Sequence, residues 1–347
     1  MSGTILQSEI YEQPQIFHTL IEKESENIQR IAQAIRERNP RYVLWVARGS
    51  SDNAARYGQY LFATINGLVS SLALPSAYTV YGQTPDMRDA LVISISQSGQ
   101  SPDIIKVVEV AKEQGAFTLA VTNNPDSPLA KASEYTIPLH AGVEQSIAAT
   151  KSYTASLLAL AMLSAALAQD EEKLAQIKRV PQWVEAVTEH GEDVIAAANR
   201  YAYIQYAVVL SRGFNYATAF ETALKLKELT YIIAEPYSSA DFKHGPVALI
   251  ERSFPLYAVI PEGLVSDELV EFIAQLAERG AELIVVSAVD EALAHAQTPL
   301  RIPSGIPEWL SPLVAVVPGQ LFALGLTIAK RFDPDQPRGL RKVTLTV

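Results

Sequence analysis

Glu221, Lys225 and Glu228 stand at i, i+4 and i+7 of a stretch free of Gly and Pro and rich in good helix formers. That spacing places a carboxylate, an ammonium and a second carboxylate on one face of a helix, where an acid, a cation and a base can act together. Pro236 closes the helical reading, and Lys243-His244-Gly245-Pro246 follows as a polar turn carrying an imidazole. A carboxylate base and a histidine acid within one supersecondary unit suit proton shuffling on a carbonyl compound. The competing reading is a solvated helix face with an ordinary i,i+4 Glu–Lys pair.

The elements that must hold these groups read as alternating strands and helices. Residues up to Pro40 predict helices over 13–20 and 22–38, forming a lead-in hairpin. The apolar run Tyr42 to Ala47 then enters the turn Arg48-Gly49-Ser50-Ser51-Asp52-Asn53, with a helix from Ala54. Ala90 to Ile95 leads into Ser96-Gln97-Ser98-Gly99-Gln100-Ser101 and a helix near Ile104. Phe117 to Thr122 and Tyr135 to Leu139 give further strands. The second half restates the first at an offset of about 164 residues: Ala207 to Gly213 answers Val43 to Gly49, Pro255 to Ile260 with Gly263 answers Ala90 to Gly99, and Leu283 to Val286 answers Leu119 to Thr122. Long helices over 150–167 and 173–200 would connect and buttress the copies. The pattern predicts an α/β chain of two doubly wound parallel sheets, with helices over 1–40, a first domain over 41–185 and a second over 186–347.

Both hydroxyl-rich turns open helices at the ends of strands. Backbone N–H groups and a helix dipole make an anion site there without Lys or Arg, and the serines add donors suited to a phosphate monoester. Ordinary N-capping by Ser is the alternative. No Walker A loop and no Gly-x-Gly-x-x-Gly fingerprint is present, so nucleotides are not invoked. The matching turn of the second half, Pro261-Glu262-Gly263-Leu264-Val265-Ser266, carries a carboxylate and fewer donors. The first copy therefore reads as the binder and the second as the chemical face.

Composition narrows the classes. With 347 residues and 48% hydrophobic content, the chain can bury two cores. A net charge of −10 without clustered Lys and Arg argues against a nucleic-acid partner. The absence of cysteine removes disulfides, thiolate nucleophiles and thiolate metal sites, and the five histidines, His18, His140, His190, His244 and His295, lack ligand spacing, so no metal and no cofactor is expected. The N-terminus shows no signal-peptide pattern, which makes the cytoplasm the default location. The longest apolar run read, Ala155 to Ala168, is shorter than the roughly 20 residues that span a bilayer and reads as a buried helix rather than a membrane contact.

Four motifs in order, Ser96-Gln97-Ser98-Gly99-Gln100-Ser101 after a strand, Ala223-Leu224-Lys225-Leu226-Lys227-Glu228, Lys243-His244-Gly245-Pro246 and Pro337-Arg338-Gly339-Leu340-Arg341-Lys342, make the chain resemble the tandem sugar-isomerase (SIS) domains of glucosamine-6-phosphate synthase and its relatives. The resemblance implies two flavodoxin-like domains in a homodimer, with the active site at the subunit interface and a small sugar phosphate as ligand. It implies that the turns with Gly49, Ser50, Ser51, Ser96, Gln97, Ser98 and Ser101 hold the phosphate and that Glu228 moves a proton between adjacent sugar carbons. His244 would open the pyranose ring from the other subunit, and Lys342 would form a Schiff base with the ketose. Glu221 and Lys225 would support them. Outside the motifs, Lys342 could be a solvent-facing lysine on a terminal strand over 342–346, and His244 a structural turn histidine. Ala149 and Arg341 depart from the family pattern, which has serine and alanine there, and leave the substrate open.

The synthase's glutaminase depends on an N-terminal cysteine that this chain lacks, so glutamine hydrolysis by that route is not expected. The expected activity is isomerisation and deamination of a hexosamine 6-phosphate: glucosamine 6-phosphate to fructose 6-phosphate and ammonia, reversibly. The alternatives are an aminotransferase-like isomerase without its glutaminase, a fructosamine-6-phosphate deglycase, and a sugar-phosphate sensor without catalysis.

Overall fold

A computed structural model describes residues 4–342. In chain order, its first elements are α1 (Ile5–Tyr11), α2 (Gln13–Arg38), β1 (Tyr42–Val46), α3 (Ser50–Thr64), β2 (Val69–Leu72), α4 (Pro75–Thr79), β3 (Ala90–Ile95), α5 (Pro102–Glu113), β4 (Phe117–Thr122), α6 (Pro128–Ala132) and β5 (Tyr135–Pro138). Then come α7 (Lys151–Ala168), α8 (Glu171–Ile177), α9 (Val180–Thr188), α10 (Gly191–Ala197), β6 (Tyr206–Ser211), α11 (Tyr216–Thr230), β7 (Ile233–Ser238), α12 (Ser239–Lys243), β8 (Pro255–Ile260), α13 (Ser266–Glu278), β9 (Glu282–Ser287), α14 (Asp290–Ala294), β10 (Thr298–Arg301) and α15 (Ser311–Ala329). They form two compact units. The unit of the first sheet takes residues 15–144, 151–179 and 341–342; that of the second takes 4–14, 145–150 and 180–340.

Each unit is built on a five-stranded parallel sheet. The first runs β2-β1-β3-β4-β5 and the second, read in the same sense, β7-β6-β8-β9-β10. The two orders are the same, and the strand starts Tyr42, Ala90 and Phe117 answer Tyr206, Pro255 and Glu282 at offsets of 164, 165 and 165. The internal repeat read from the sequence is thus a repeat of topology. Strands β3, β4, β8 and β9 are buried at every residue, as in parallel sheets covered by helices on both faces, which is why they read as unbroken apolar runs. In a 2-1-3-4-5 sheet the chain reverses its direction of travel between β1 and β3, and the crevice beyond the carboxyl ends of those strands is where ligands of such folds bind.

One face of the first sheet carries α4, α5 and α6, packed through Val46, Met87, Val92, Ile104, Val108 and Leu129. On β1, Trp45 is fully buried, with its ring edge-on to Phe62 of α3 at 5.2 Å. Gly58 of α3 makes room for it: a Cβ at Gly58 would lie 2.4 Å from the indole ring. Gly58→Ala should therefore destabilise the protein by about 1–3 kcal/mol from overpacking, against a gain of up to roughly 1 kcal/mol in helix propensity. A urea melt reads the balance, and a net stabilisation would show that Trp45 can move aside.

Several expectations for the helices are corrected. The predicted hairpin before Pro40 is a single helix, α2, of 26 residues, because Ile21-Glu22 lacks any breaker. The predicted helix over 173–200 is broken into α8, α9 and α10, with Pro181 in the first turn of α9 and Gly191 at the start of α10. A side chain at Gly191 would lie 2.4 Å from the hydroxyl of Tyr11, so the break is also packed. The helices after the serine turns start earlier than expected, at Ser50 and Pro102, and the serines themselves form the first turn or cap. Strands β2, β7 and β10, too short or too polar to stand out in the sequence, complete the sheets. Helix α11 ends at Thr230, with Tyr231 in the left-handed conformation, and Pro236 lies within the edge strand β7, where a missing N–H is tolerated.

Helix α7 is buried along nearly its whole length, as read from Ala155–Ala168. The longer apolar run is the one over Glu308–Ala329, missed because Pro318, Gly319 and Gly325 resemble breakers. By length and composition alone the full helices Lys151–Ala168 and Glu308–Ala329 could cross a membrane, but 89% of the most apolar 18-residue stretch of each is buried within the protein. Gly319 lets α15 meet α11: a Cβ there would lie 2.5 Å from Thr222 Oγ1.

Candidate functional site

In the unit of the first sheet, β1 and β3 pair in parallel, with Val46 beside Ser94, so their two turns emerge side by side at the switch point. The turn after β3 is built by its own hydroxyls. Gly99 N–H donates to Ser96 Oγ at 3.1 Å and Gln100 N–H to Ser98 Oγ at 3.3 Å. Gly99 has φ +62°, and a Cβ on it would lie 2.2 Å from Ser127 Oγ, so both conformation and space require glycine. Ser101 stands at the N-cap of α5 without a side-chain cap hydrogen bond. By contrast, Ser127 at the start of α6 caps its own helix in the ordinary way, accepting from Ala130 N–H at 3.2 Å.

The turn after β1 opens α3 at Gly49, whose φ is +55° and around which an added Cβ would meet nothing within 4 Å. Ser50 and Ser51 are half-buried in the first turn of α3. Arg48 is committed to Asp103, with two hydrogen bonds of 3.0 and 2.9 Å to one carboxylate oxygen. Asp52 pairs with Arg56 at 3.2 Å; burial pushes its carboxyl up and the arginine pulls it back, with a net rise. Beside these ion pairs, the hydroxyls and backbone amides of the two helix starts line this end of the sheet, the kind of setting that suits an anion.

Gln97 and Ser98 line a cleft of about 630 Å³ together with Asn123, His140, Glu144 and Lys342. The chain's last described residue is thereby brought to the serine turn. Lys342 Nζ is 2.7 Å from Glu144 Oε2; the lysine side chain is 26% exposed and the glutamate side chain 0%. Lys342 is not a freely solvated lysine, and the strand expected over 342–346 lies outside the described residues beyond its first position. Asn123, His140 and Glu144 were not singled out in the sequence. His140, one of the scattered histidines, has φ +51° and pairs with Glu24 at 2.7 Å. The one signal for it was a position just after a strand end, on the side of the sheet where ligands bind.

In the unit of the second sheet, the solvated-face reading of α11 is overturned. Glu221 and Lys225 side chains are 0% and 1% exposed, and Glu228 is 23% exposed. Lys225 Nζ lies 3.5 Å from Glu221 Oε1 and 2.5 Å from Glu228 Oε2, so one buried ammonium faces both carboxylates, and only Glu228 reaches the surface. The helix is buried on this side because α15 packs against it. His244 is the C-cap of α12, exposed, with its backbone N–H on Asp241. Its neighbour Lys243 pairs with Glu268, which also takes Arg212 at 2.9 Å. Burial raises the Glu268 carboxyl, but the two cations outweigh it and hold it below the usual range. Ala149 is half-buried in residues 145–150 of this unit.

The switch point of the second sheet already holds an anion. Glu308 directs its carboxylate between the turns after β6 and β8: Leu264 N–H donates to its Oε2 at 2.5 Å, and a Cβ at Gly263 would lie 2.2 Å from the same oxygen. Gly213, the counterpart of Gly49, faces its Oε1. Glu262 is taken up by Gly305 N–H at 2.6 Å.

Two doubly wound sheets of one topology, the first with a hydroxyl-lined turn at its switch point, define a tandem flavodoxin-like α/β protein. The chain belongs to the SIS domain family, whose model matches residues 38–166 and 205–330. It is 36% identical over 345 residues to the glutamine–fructose-6-phosphate aminotransferase [isomerizing] of Thermococcus kodakarensis, covering 96% of this chain and 56% of that protein. To the protein of the same name from Aquifex aeolicus it is 34% identical, over 98% of this chain and 57% of the relative. The chain thus spans a little over half the length of these relatives. Among solved structures, the C-terminal domain of the glucosamine-fructose-6-phosphate aminotransferase of Francisella tularensis superposes with a TM-score of 0.87 at 27% identity, covering 97% of this chain and 99% of that one. Glucosamine-6-phosphate deaminase of Thermotoga maritima shares the fold, with a TM-score of 0.78 at 22% identity.

Proposed function

We propose that the protein is an aminosugar-phosphate isomerase that converts a hexosamine 6-phosphate to the ketose phosphate and ammonia, and back. The observation that carries this reading is the cleft in which Gln97 and Ser98 of the serine turn meet the amine of Lys342. An anion-binding turn and a primary amine in one cleft suit a phosphorylated carbonyl compound, held at one end and condensed at the other.

In this reading the turns with Ser50, Ser51, Ser96, Ser98 and Ser101 take the phosphate. His244 moves the proton that opens the pyranose. Glu228 removes the proton from C2 of the open aldose, and the resulting enaminol is protonated at C1 to give the 2-imine. The Lys342 amine adds to that imine and expels ammonia, and water then hydrolyses the lysine Schiff base to release the ketose. The reverse direction runs the same steps backward: the ketose carbonyl condenses with Lys342 with loss of water, and ammonia displaces the lysine to give the 2-imine. The names of the relatives, which join fructose 6-phosphate to an amino group, support the substrate class. A homodimer in which His244 serves the partner's site, and a cytoplasmic location, belong to the same proposal.

Incubation with glucosamine 6-phosphate should release ammonia and fructose 6-phosphate in equal amounts. Absence of turnover in both directions, with phosphorylated fructosamines also inert, would sink the enzymatic reading; binding by calorimetry without turnover would point to a sensor.

A further inference from the structure

Lys342 ends a four-carbon chain near the C-terminus, and something must hold its amine toward the cleft. We infer that Glu144 is the positioning residue for Lys342. Its carboxylate is fully buried, a placement that disfavours a charge unless partners satisfy it. The partners are directional: Ser152 N–H donates to Oε1 at 3.0 Å, Ser152 Oγ to Oε2 at 2.7 Å, and Lys342 Nζ to Oε2 at 2.7 Å. Ser152 lies in the first turn of α7, where helix N–H groups and the dipole favour a carboxylate. The rigid end of the arrangement is therefore the buried helix, and the adjustable end is the lysine.

The loop that bears Glu144 is tied to the serine turn through Asn123. Its side chain donates to Gly142 O at 2.7 Å and accepts from Ala141 N–H at 2.9 Å, while its backbone N–H donates to Gln97 O at 3.2 Å. One residue thus links the turn to the carboxylate that holds the amine, which fixes the distance between the two ends of the cleft. A surface ion pair made only for stability would have no need of a fully buried carboxylate or of this link.

The test has two parts, of which only the second rests on the functional reading above. In the absence of substrate, reductive methylation of Lys342, followed by mass spectrometry against the other lysines, should be about tenfold faster in Glu144→Gln than in wild type, a mid-range factor for groups in contact. An unchanged rate would overturn the inference. Ser152→Ala, which keeps the charge and loosens its anchor, should give a smaller rise and serves if Glu144→Gln fails to fold. With fructose 6-phosphate, the Lys342 amine should condense at C2 with loss of water, and borohydride should deliver hydride to that imine, leaving a stable secondary amine on Lys342. Glu144→Gln should trap less adduct and lower kcat with KM little changed. No adduct in wild type would remove the Schiff-base role from the functional reading, while the methylation rates still decide the role of Glu144. Equal trapping in both proteins would reject Glu144 as the positioning residue.

Discussion

Glu228→Gln is expected to lower turnover of the aminosugar phosphate by about 10²- to 10⁴-fold, the range for loss of a positioned general base, while leaving binding of the sugar phosphate within a few-fold of wild type. The substitution keeps the shape of the side chain and its hydrogen-bonding reach to Lys225, 2.5 Å away, and removes only the basic oxygen. Of the three charged groups on that face of α11, Glu228 alone is part exposed, so it alone can meet a substrate. Exchange of the substrate's C2 hydrogen with deuterated solvent gives an independent measure and should fall in parallel. Retained exchange and retained kcat would remove Glu228 from the chemistry and leave the cleft of the first unit as a binding site.

Lys225→Met should cost about 3–5 kcal/mol of folding stability, the usual penalty for taking one partner from a buried ion pair. The ammonium is 1% exposed and is the cation shared by Glu221 and Glu228. Against a total of about 5–15 kcal/mol for a natural domain, such a loss shifts a urea midpoint visibly. Adding Glu221→Gln to Lys225→Met should recover part of it, because the buried charge goes with its counter-charge. A midpoint unchanged in Lys225→Met would mean that the ammonium is dispensable to the fold, and that its burial is maintained for Glu228 alone.

The strands that were legible were those buried on both faces, because a continuous apolar run needs no partner to be recognised; β3, β4, β8 and β9 are of this kind. Edge strands β2 and β7 are half polar and take their conformation from the neighbour they pair with, which no local pattern encodes. The spacing of Glu221, Lys225 and Glu228 gave their common face, but not its burial. That depends on α15, nearly a hundred residues later in the chain, whose Pro318 and two glycines obscured it. Gln97 and Ser98 could be read from the turn chemistry, and Lys342 from the resemblance. Asn123, His140 and Glu144 come to the cleft only through tertiary packing, from the loops after β4 and β5.

Glu308 has a consequence for how the duplicated sheets divide their labour. A carboxylate tethered beside the turns after β6 and β8 competes with free metabolites as though present at millimolar or higher concentration, and it never diffuses away. The later copy therefore carries a resident carboxylate at its own switch point. With Glu308 occupying the second switch point, titration with inorganic phosphate should saturate at one ion per polypeptide.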